Sequence, residues 1–285
     1  MDSPYRNPTE ITKFFIESGL NKDRQSTLRL ILLGILGGAF IAFASEGSNT
    51  AIHTVASVGL GKALAGALFA TGLMLVVLAG GELFTGNMLM IVPALSGKLP
   101  VTRMLRNWSL VYAGNFLGSV LIAGFIILSG QFDFSGGLLG AFTIKVAVYK
   151  VGLTFTKAFF MGILCNWLVC MAVWMAGAAK DAIGKLFGIF FPIWLFITSG
   201  FEHSIANMYY IPAGIMAKAN PLYVEQAASL GVTASSLEQL TWGRFLVSNL
   251  LPVTLGNMVG GIVFVGLFFW LAFIHQDNKP ADPAS

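Results

Sequence analysis

GFEHSIANM, residues 200–208, follows the apolar run LFGIFFPIWLFITS at 186–199. That run reads as a helix inside a membrane. The stretch after it sets Glu202 beside His203, with Ser204 and Asn207 close behind. Ionisable groups at such depth are costly and mark ion paths or proton relays. An acid next to an imidazole therefore decides both the fold class and the search for a site.

The whole chain supports a membrane reading. It has 285 residues, of which 56% are hydrophobic and 11% charged. Mean hydropathy is +0.77. A soluble domain carries about 25% charged residues. The net charge of +4 does not point to nucleic acid, because no basic run is long enough. Cys165 and Cys170 lie five apart in one apolar run. On a helix they point in different directions, so neither a disulfide nor a metal pair is expected. The start, MDSPYRNPTEITKFF, has an early acid and no apolar core, unlike a cleavable signal.

Runs of roughly 20 apolar residues predict six spans, at about 28–45, 63–92, 108–129, 156–178, 186–214 and 245–274. The second and fifth are too long for simple crossings, and each holds a polar patch bounded by glycine. Connections are expected to be short except 215–243. The chain divides into an N-terminal amphipathic helix within 1–27, a six-span domain over 28–274 and a tail at 275–285. In the first unit Asn7 can cap, Pro8 suits the first helical position and Glu10 completes a capping box. Ile11, Phe14, Phe15 and Ser18 share a face, and Gly19 is expected to end the helix. This helix reads as a surface anchor or a cover over a pore mouth.

An even number of spans puts both termini on one side. That side collects eleven of the 17 Lys and Arg residues, from Arg6, Lys13, Lys22, Arg24 and Arg29 through Lys98, Arg103 and Arg106 to Lys180, Lys185 and Lys279. Both termini are therefore expected to be cytoplasmic, in the cell membrane. Lys145, Lys150 and Lys157 fall on the other side and need a reason besides topology.

The halves echo each other. NWSLVYAGNFLGS from Asn107 matches NLLPVTLGNMVGG from Asn249 in its two asparagines and following glycine. GELFTGN from Gly81 matches GFEHSIAN from Gly200: an acid, a hydroxyl (Thr85, Ser204), then Asn87 or Asn207. LGILGG from Leu33 matches MGILCN from Met161. Three spans per half make the second half upside down, a 3+3 inverted repeat of the kind found in channels and transporters. The fold class is an all-α membrane protein with broken helices two and five.

GFEHSIANMYYIP, GELFTGN, GILCNWLVCMAVWM and NLLPVTLGNMVGG, in chain order, closely resemble the formate–nitrite transporter family. The resemblance runs from about residue 10 to 274. It implies an aquaporin-like protomer, a homopentamer with one pore per protomer, and passage of small monovalent anions: formate, nitrite, hydrosulfide, sometimes acetate or lactate. Formate is the first expectation, with hydrosulfide and nitrite as the alternatives. The resemblance makes His203 the central pore residue and Thr85 its partner. It puts Phe69 and Phe196 at the periplasmic constriction and Leu73, Phe84 and Val169 at the cytoplasmic one. It matches Asn166 and Asn257 to pore-region asparagines and Lys150 to a vestibule lysine. It associates the N-terminal helix and the link between spans two and three with gating.

Chemistry gives these residues a purpose. A bare anion meets a barrier of several kcal/mol or more at an apolar ring. Desolvation raises the pKa of the anion's conjugate acid. Protonation on entry, directly or through water, lets the neutral acid pass, with His203 and Thr85 as relay or hydrogen-bond station. Whether His203 is charged at rest is left open by the residues alone. Glu82 and Glu202 are expected to accept hydrogen bonds from backbone N–H groups freed at the helix breaks. No cofactor is expected: a haem subunit needs facing histidines, and no CxxC, dinucleotide fingerprint or phosphate loop is present. No enzymatic site is expected. A neutral-solute channel is the rival from another class, but those of the water and glycerol type carry paired Asn-Pro-Ala motifs that this chain lacks.

Overall fold

A computed structural model describes residues 3–275. Apart from His275, the expected C-terminal tail lies outside the described residues. Twelve helices are labelled here in chain order: α1 Pro8–Asp23, α2 Thr27–Ile52, α3 Val58–Gly80, α4 Phe84–Leu95, α5 Val101–Leu128, α6 Leu138–Val151, α7 Phe155–Ala178, α8 Ala182–Thr198, α9 Ser204–Ala217, α10 Pro221–Ser229, α11 Ala234–Glu238 and α12 Trp242–His275. Helices α2, α3, α5, α7 and α12 are long and apolar enough to cross a membrane; α8, at 17 residues, falls just short alone. With α4 and α9 completing the interrupted second and fifth spans, the six predicted hydrophobic regions are all accounted for.

The capping box at the start of α1 forms as its sequence predicts. Glu10 N–H donates to Asn7 Oδ1 at 2.9 Å, and Asn7 N–H to the Glu10 carboxylate at 2.8 Å. The end differs. Helix α1 runs past Gly19 to Asp23. Gly19 is needed for contact instead, since a Cβ there would lie 2.6 Å from the Pro93 ring. Ile11 and Phe15 are buried, and Phe15 stacks on Trp174 at 4.9 Å between centroids.

Helix α6 was not expected. Its 14 residues are too few to cross a bilayer, so a search for spans reads it as part of a connection. It packs against α9 and carries Lys150 at its last turn.

Two interhelical seams hold the bundle. Helix α2 lies against α5, and α7 against α12. In the first, a Cβ at Gly38 would strike the carbonyl of Asn115, and one at Gly118 the carbonyl of Ile35. In lipid, helices associate through such close backbone approach, because no hydrophobic gain separates protein from acyl chain.

Candidate functional site

The site forms where two spans break. Helix α3 widens into a π turn at Val76–Gly80, and Gly80 takes φ +97°. Helix α8 ends at Thr198, and Gly200 takes φ +75°. Both values lie in the left-handed region that glycine enters without a Cβ clash. Residues 81–83 and 201–203 then run without helix before α4 and α9 begin.

Each break frees backbone groups that must be satisfied inside the protein. The expected acceptors were the glutamates; the structure uses asparagines. Phe84 N–H donates to Asn115 Oδ1 at 2.9 Å, and Ser204 N–H to Asn257 Oδ1 at 2.8 Å. The amide nitrogens of the same side chains reach back. Asn115 Nδ2 donates to the carbonyls of Gly34 and Glu82, and Asn257 Nδ2 to those of Gly162 and Glu202. A planar amide carries donor and acceptor together, whereas a carboxylate only accepts. Asparagine can therefore close both sides of a break.

The glutamates hold cations and amides. Glu82 accepts from Lys22 at 2.7 Å, Asn87 at 2.7 Å and Gln25 at 3.2 Å. Glu202 accepts from Lys150 at 2.8 Å and Asn207 at 2.7 Å. Asn87 and Asn207 each donate again, to Asn107 Oδ1 at 2.8 Å and Asn249 Oδ1 at 2.7 Å. Both carboxylates are buried. A buried charge persists only when paired and hydrogen-bonded, and each has both kinds of partner. Lys150 also lies over the Tyr210 ring, 5.2 Å from its centroid.

The two breaks meet at one contact. Thr85 Oγ1 is 2.9 Å from His203 Nε2, and both side chains are buried. The other ring nitrogen, Nδ1, accepts from Ala206 N–H at 3.2 Å. A nitrogen that accepts carries no proton. The ring is thus neutral with its hydrogen on Nε2, donating to Thr85 Oγ1. The Thr85 hydroxyl keeps its own hydrogen to offer elsewhere. Asn166 Nδ2 and Cys170 Sγ both donate to the Thr85 carbonyl, at 3.2 and 3.3 Å, and Asn166 Nδ2 also to the Asn257 carbonyl at 2.7 Å. Cys165 and Cys170 are free thiols.

Aromatic and aliphatic groups flank this contact. Phe69 and Phe196 meet edge to face at 5.6 Å, and Phe196 is 6.0 Å from the His203 ring. On the side of α1 lies a cavity of about 380 Å³. Leu73, Val76 and Leu83 form its deep wall, α1 covers it with Phe14, Phe15 and Lys22, and Lys185 and Arg29 add charge. Leu83 was not singled out by sequence; its only signal is its place one residue after Glu82. Phe84 stands elsewhere. Its ring packs edge to face on Tyr112 at 4.7 Å and lines a separate, mostly apolar cavity with Trp108, Leu250 and Thr254. Val169 is buried. Lys157 is exposed on the first turn of α7.

A helical bundle with two broken spans meeting at a buried hydroxyl–imidazole pair has the build of a membrane transport protein. The chain belongs to the formate/nitrite transporter family, whose profile matches residues 9–271. A formate channel of Haemophilus influenzae, FocA, is 39% identical over 92% of both chains. An uncharacterized transporter of Bacillus subtilis, YrhG, is 38% identical over 96% of each. Among solved structures, a pentameric formate channel with formate bound superposes with a TM-score of 0.76 at 36% identity, covering 87% of this chain and 97% of that one.

Proposed function

We propose that this chain is a formate channel that assembles as a homopentamer, with a path through each protomer. The observation that carries this reading is the buried Thr85–His203 contact, with Phe196 6.0 Å from the imidazole. The relatives named as formate channels support formate over hydrosulfide or nitrite. The lysine and arginine bias supports a cell-membrane orientation with both termini cytoplasmic. The cavity under α1 is then the inner mouth, and the Lys150 end is the outer one. The matched bonds of Asn115 with Asn257, Asn107 with Asn249, and Lys22 with Lys150 support an inverted repeat. In it α1 and α6 are counterparts, each delivering a lysine to the glutamate of one break. Helix α1, lying over the inner mouth, is placed to gate it.

The neutral tautomer shapes the mechanism. An imidazole that accepts from Ala206 N–H is not a resting proton donor. The proton that neutralises formate therefore comes from water at the mouth, as desolvation raises the acid's pKa. Formic acid then slips past the apolar groups. The Thr85 hydroxyl, polarised by His203 Nε2–H, donates a hydrogen bond to the passing acid, replacing one lost to water. Asn166 and Cys170 hold the threonine carbonyl in place, and Asn257 holds the break that carries His203. Glu82 and Glu202 support the two breaks and move no protons.

Uptake into proteoliposomes with an internal pH dye tests this. Formate, nitrite and hydrosulfide are compared at equal concentration for wild type and His203→Ala. Formate entering fastest, with a proton and with loss in the variant, is the expected result. Pure anion current without a pH change, unaffected by His203→Ala, would sink the reading.

A further inference from the structure

Two lysines stand at the mouth away from α1, and their surroundings differ. Lys150 is committed. Its ammonium is 2.8 Å from Glu202, and its side chain is 12% exposed. Lys62, near the start of α3, is exposed, and among the described residues no carboxylate lies within 4 Å of it. Its ammonium lies against the bend at Gly200, 3.4 Å from where a Cβ would stand. That bend leads directly into Glu202 and His203.

Helix geometry ties Lys62 to the path. Lys62, Phe69, Leu73 and Val76 recur at helical spacing on one face of α3. Phe69 meets Phe196, and Leu73 and Val76 line the cavity under α1. Lys62 is therefore the charged end of the stripe that lines the route. Seven residues of helix put it about 10 Å from Phe69, roughly one Debye length at 0.1 M salt.

We propose that Lys62 is the residue that draws the anion to this mouth, and that Lys150 is a structural clamp on Glu202. This rests on the anion-channel reading. A lysine neutralised at 2.8 Å presents a weak dipole to an approaching anion. An unpaired ammonium presents its full charge, and a low-dielectric wall focuses its field along the mouth. The mouth under α1 shows the same division. Lys22 is tied to Glu82, while Lys185 lines the cavity with no carboxylate within 4 Å among the described residues.

The first test is formate uptake against concentration, at low and high ionic strength, in proteoliposomes of the full chain. Lys62→Gln is expected to raise the half-saturating concentration about three- to tenfold at low salt. It should act less on the maximal rate and flatten the salt dependence, and Lys62→Arg should restore both. Lys150→Gln is expected to lower the maximal rate and the melting temperature instead. A wild-type half-saturation and salt dependence in Lys62→Gln overturns the proposal, as does that signature appearing in Lys150→Gln alone. A second readout needs no transport. Ser199→Cys puts an exposed thiol beside Gly200, while Cys165 and Cys170 are buried. Its labelling by a sulfonate-bearing against an ammonium-bearing methanethiosulfonate reports the local potential. The preference for the anionic reagent should fall several-fold when Lys62→Gln is added, and an unchanged ratio overturns the proposal. If wild type carries no formate, the channel reading fails, and this ratio alone decides the role of Lys62.

Discussion

At the first break Glu82 is followed by Leu83, and at the second Glu202 is followed by His203. The surroundings of the two breaks share a frame: a glycine with positive φ, an asparagine capping the new helix, a glutamate holding a lysine and an asparagine. The chemistry does not match. Counted from Gly80 and Gly200, Leu83 stands where His203 does, Phe84 where Ser204 does, and Thr85 where Ile205 does. The two hydroxyls paired by reading the motifs, Thr85 and Ser204, are thus one residue out of register. The scaffold needs both breaks equally satisfied, because backbone at membrane depth tolerates no orphan group. On the proposed reading a single path needs only one central station, and one break supplies its hydroxyl while the other supplies its imidazole.

The largest effect is expected at the Thr85–His203 contact. His203→Ala is expected to abolish most formate flux, by tenfold or more, while Leu83→Ala at the matching place keeps the bulk of it; equal losses in proteoliposome uptake would refute the division of labour. The glutamates come next. Glu202→Ala strands Lys150, which is largely buried, and such a loss costs about 3–5 kcal/mol. Glu82→Ala strands Lys22, whose side chain is 27% exposed, so its drop in melting temperature should be the smaller of the two. An inverted order would contradict the pairing geometry.

Thr85→Val removes one hydrogen bond from the passing acid. A loss near 1.4 kcal/mol lowers flux about tenfold, Thr85→Ser should retain it, and Ile205→Val should do nothing. Smallest of all is the effect of pH on the His203 ring itself. Nitrogen NMR of labelled protein should show an unprotonated Nδ1 and a protonated Nε2 near neutral pH. A ring protonated on both nitrogens would return His203 to the role of acid.

Much of this was legible in the residues. The capping box of α1 follows from Asn7, Pro8 and Glu10, because each satisfies a backbone donor locally. The broken spans follow from length, since α3 with α4, and α8 with α9, are too long for one crossing. Helix α6 was hidden because 14 residues resemble a loop when the search is for 20. The end of α1 was misplaced because Gly19 serves a contact with Pro93, distant in sequence. The asparagine caps were hidden for a related reason: Asn115 and Asn257 reach their helix starts from other helices.

The order of residues along the chain already carries the membrane setting, the two interruptions, the echo between halves and the candidates His203 and Thr85. The first three rest on composition and spacing and the last on a resemblance of motifs, all of them properties of the chain read in order. Tertiary structure decided which donor meets which acceptor. It put Nδ1 of His203 on Ala206 N–H, turned Phe84 to Tyr112 and left Leu83 at the cavity, and bound Lys150 while leaving Lys62 exposed. Those outcomes depend on distances of a few ångströms between segments far apart in the chain, and hydrogen bonds and ion pairs fall off within that range.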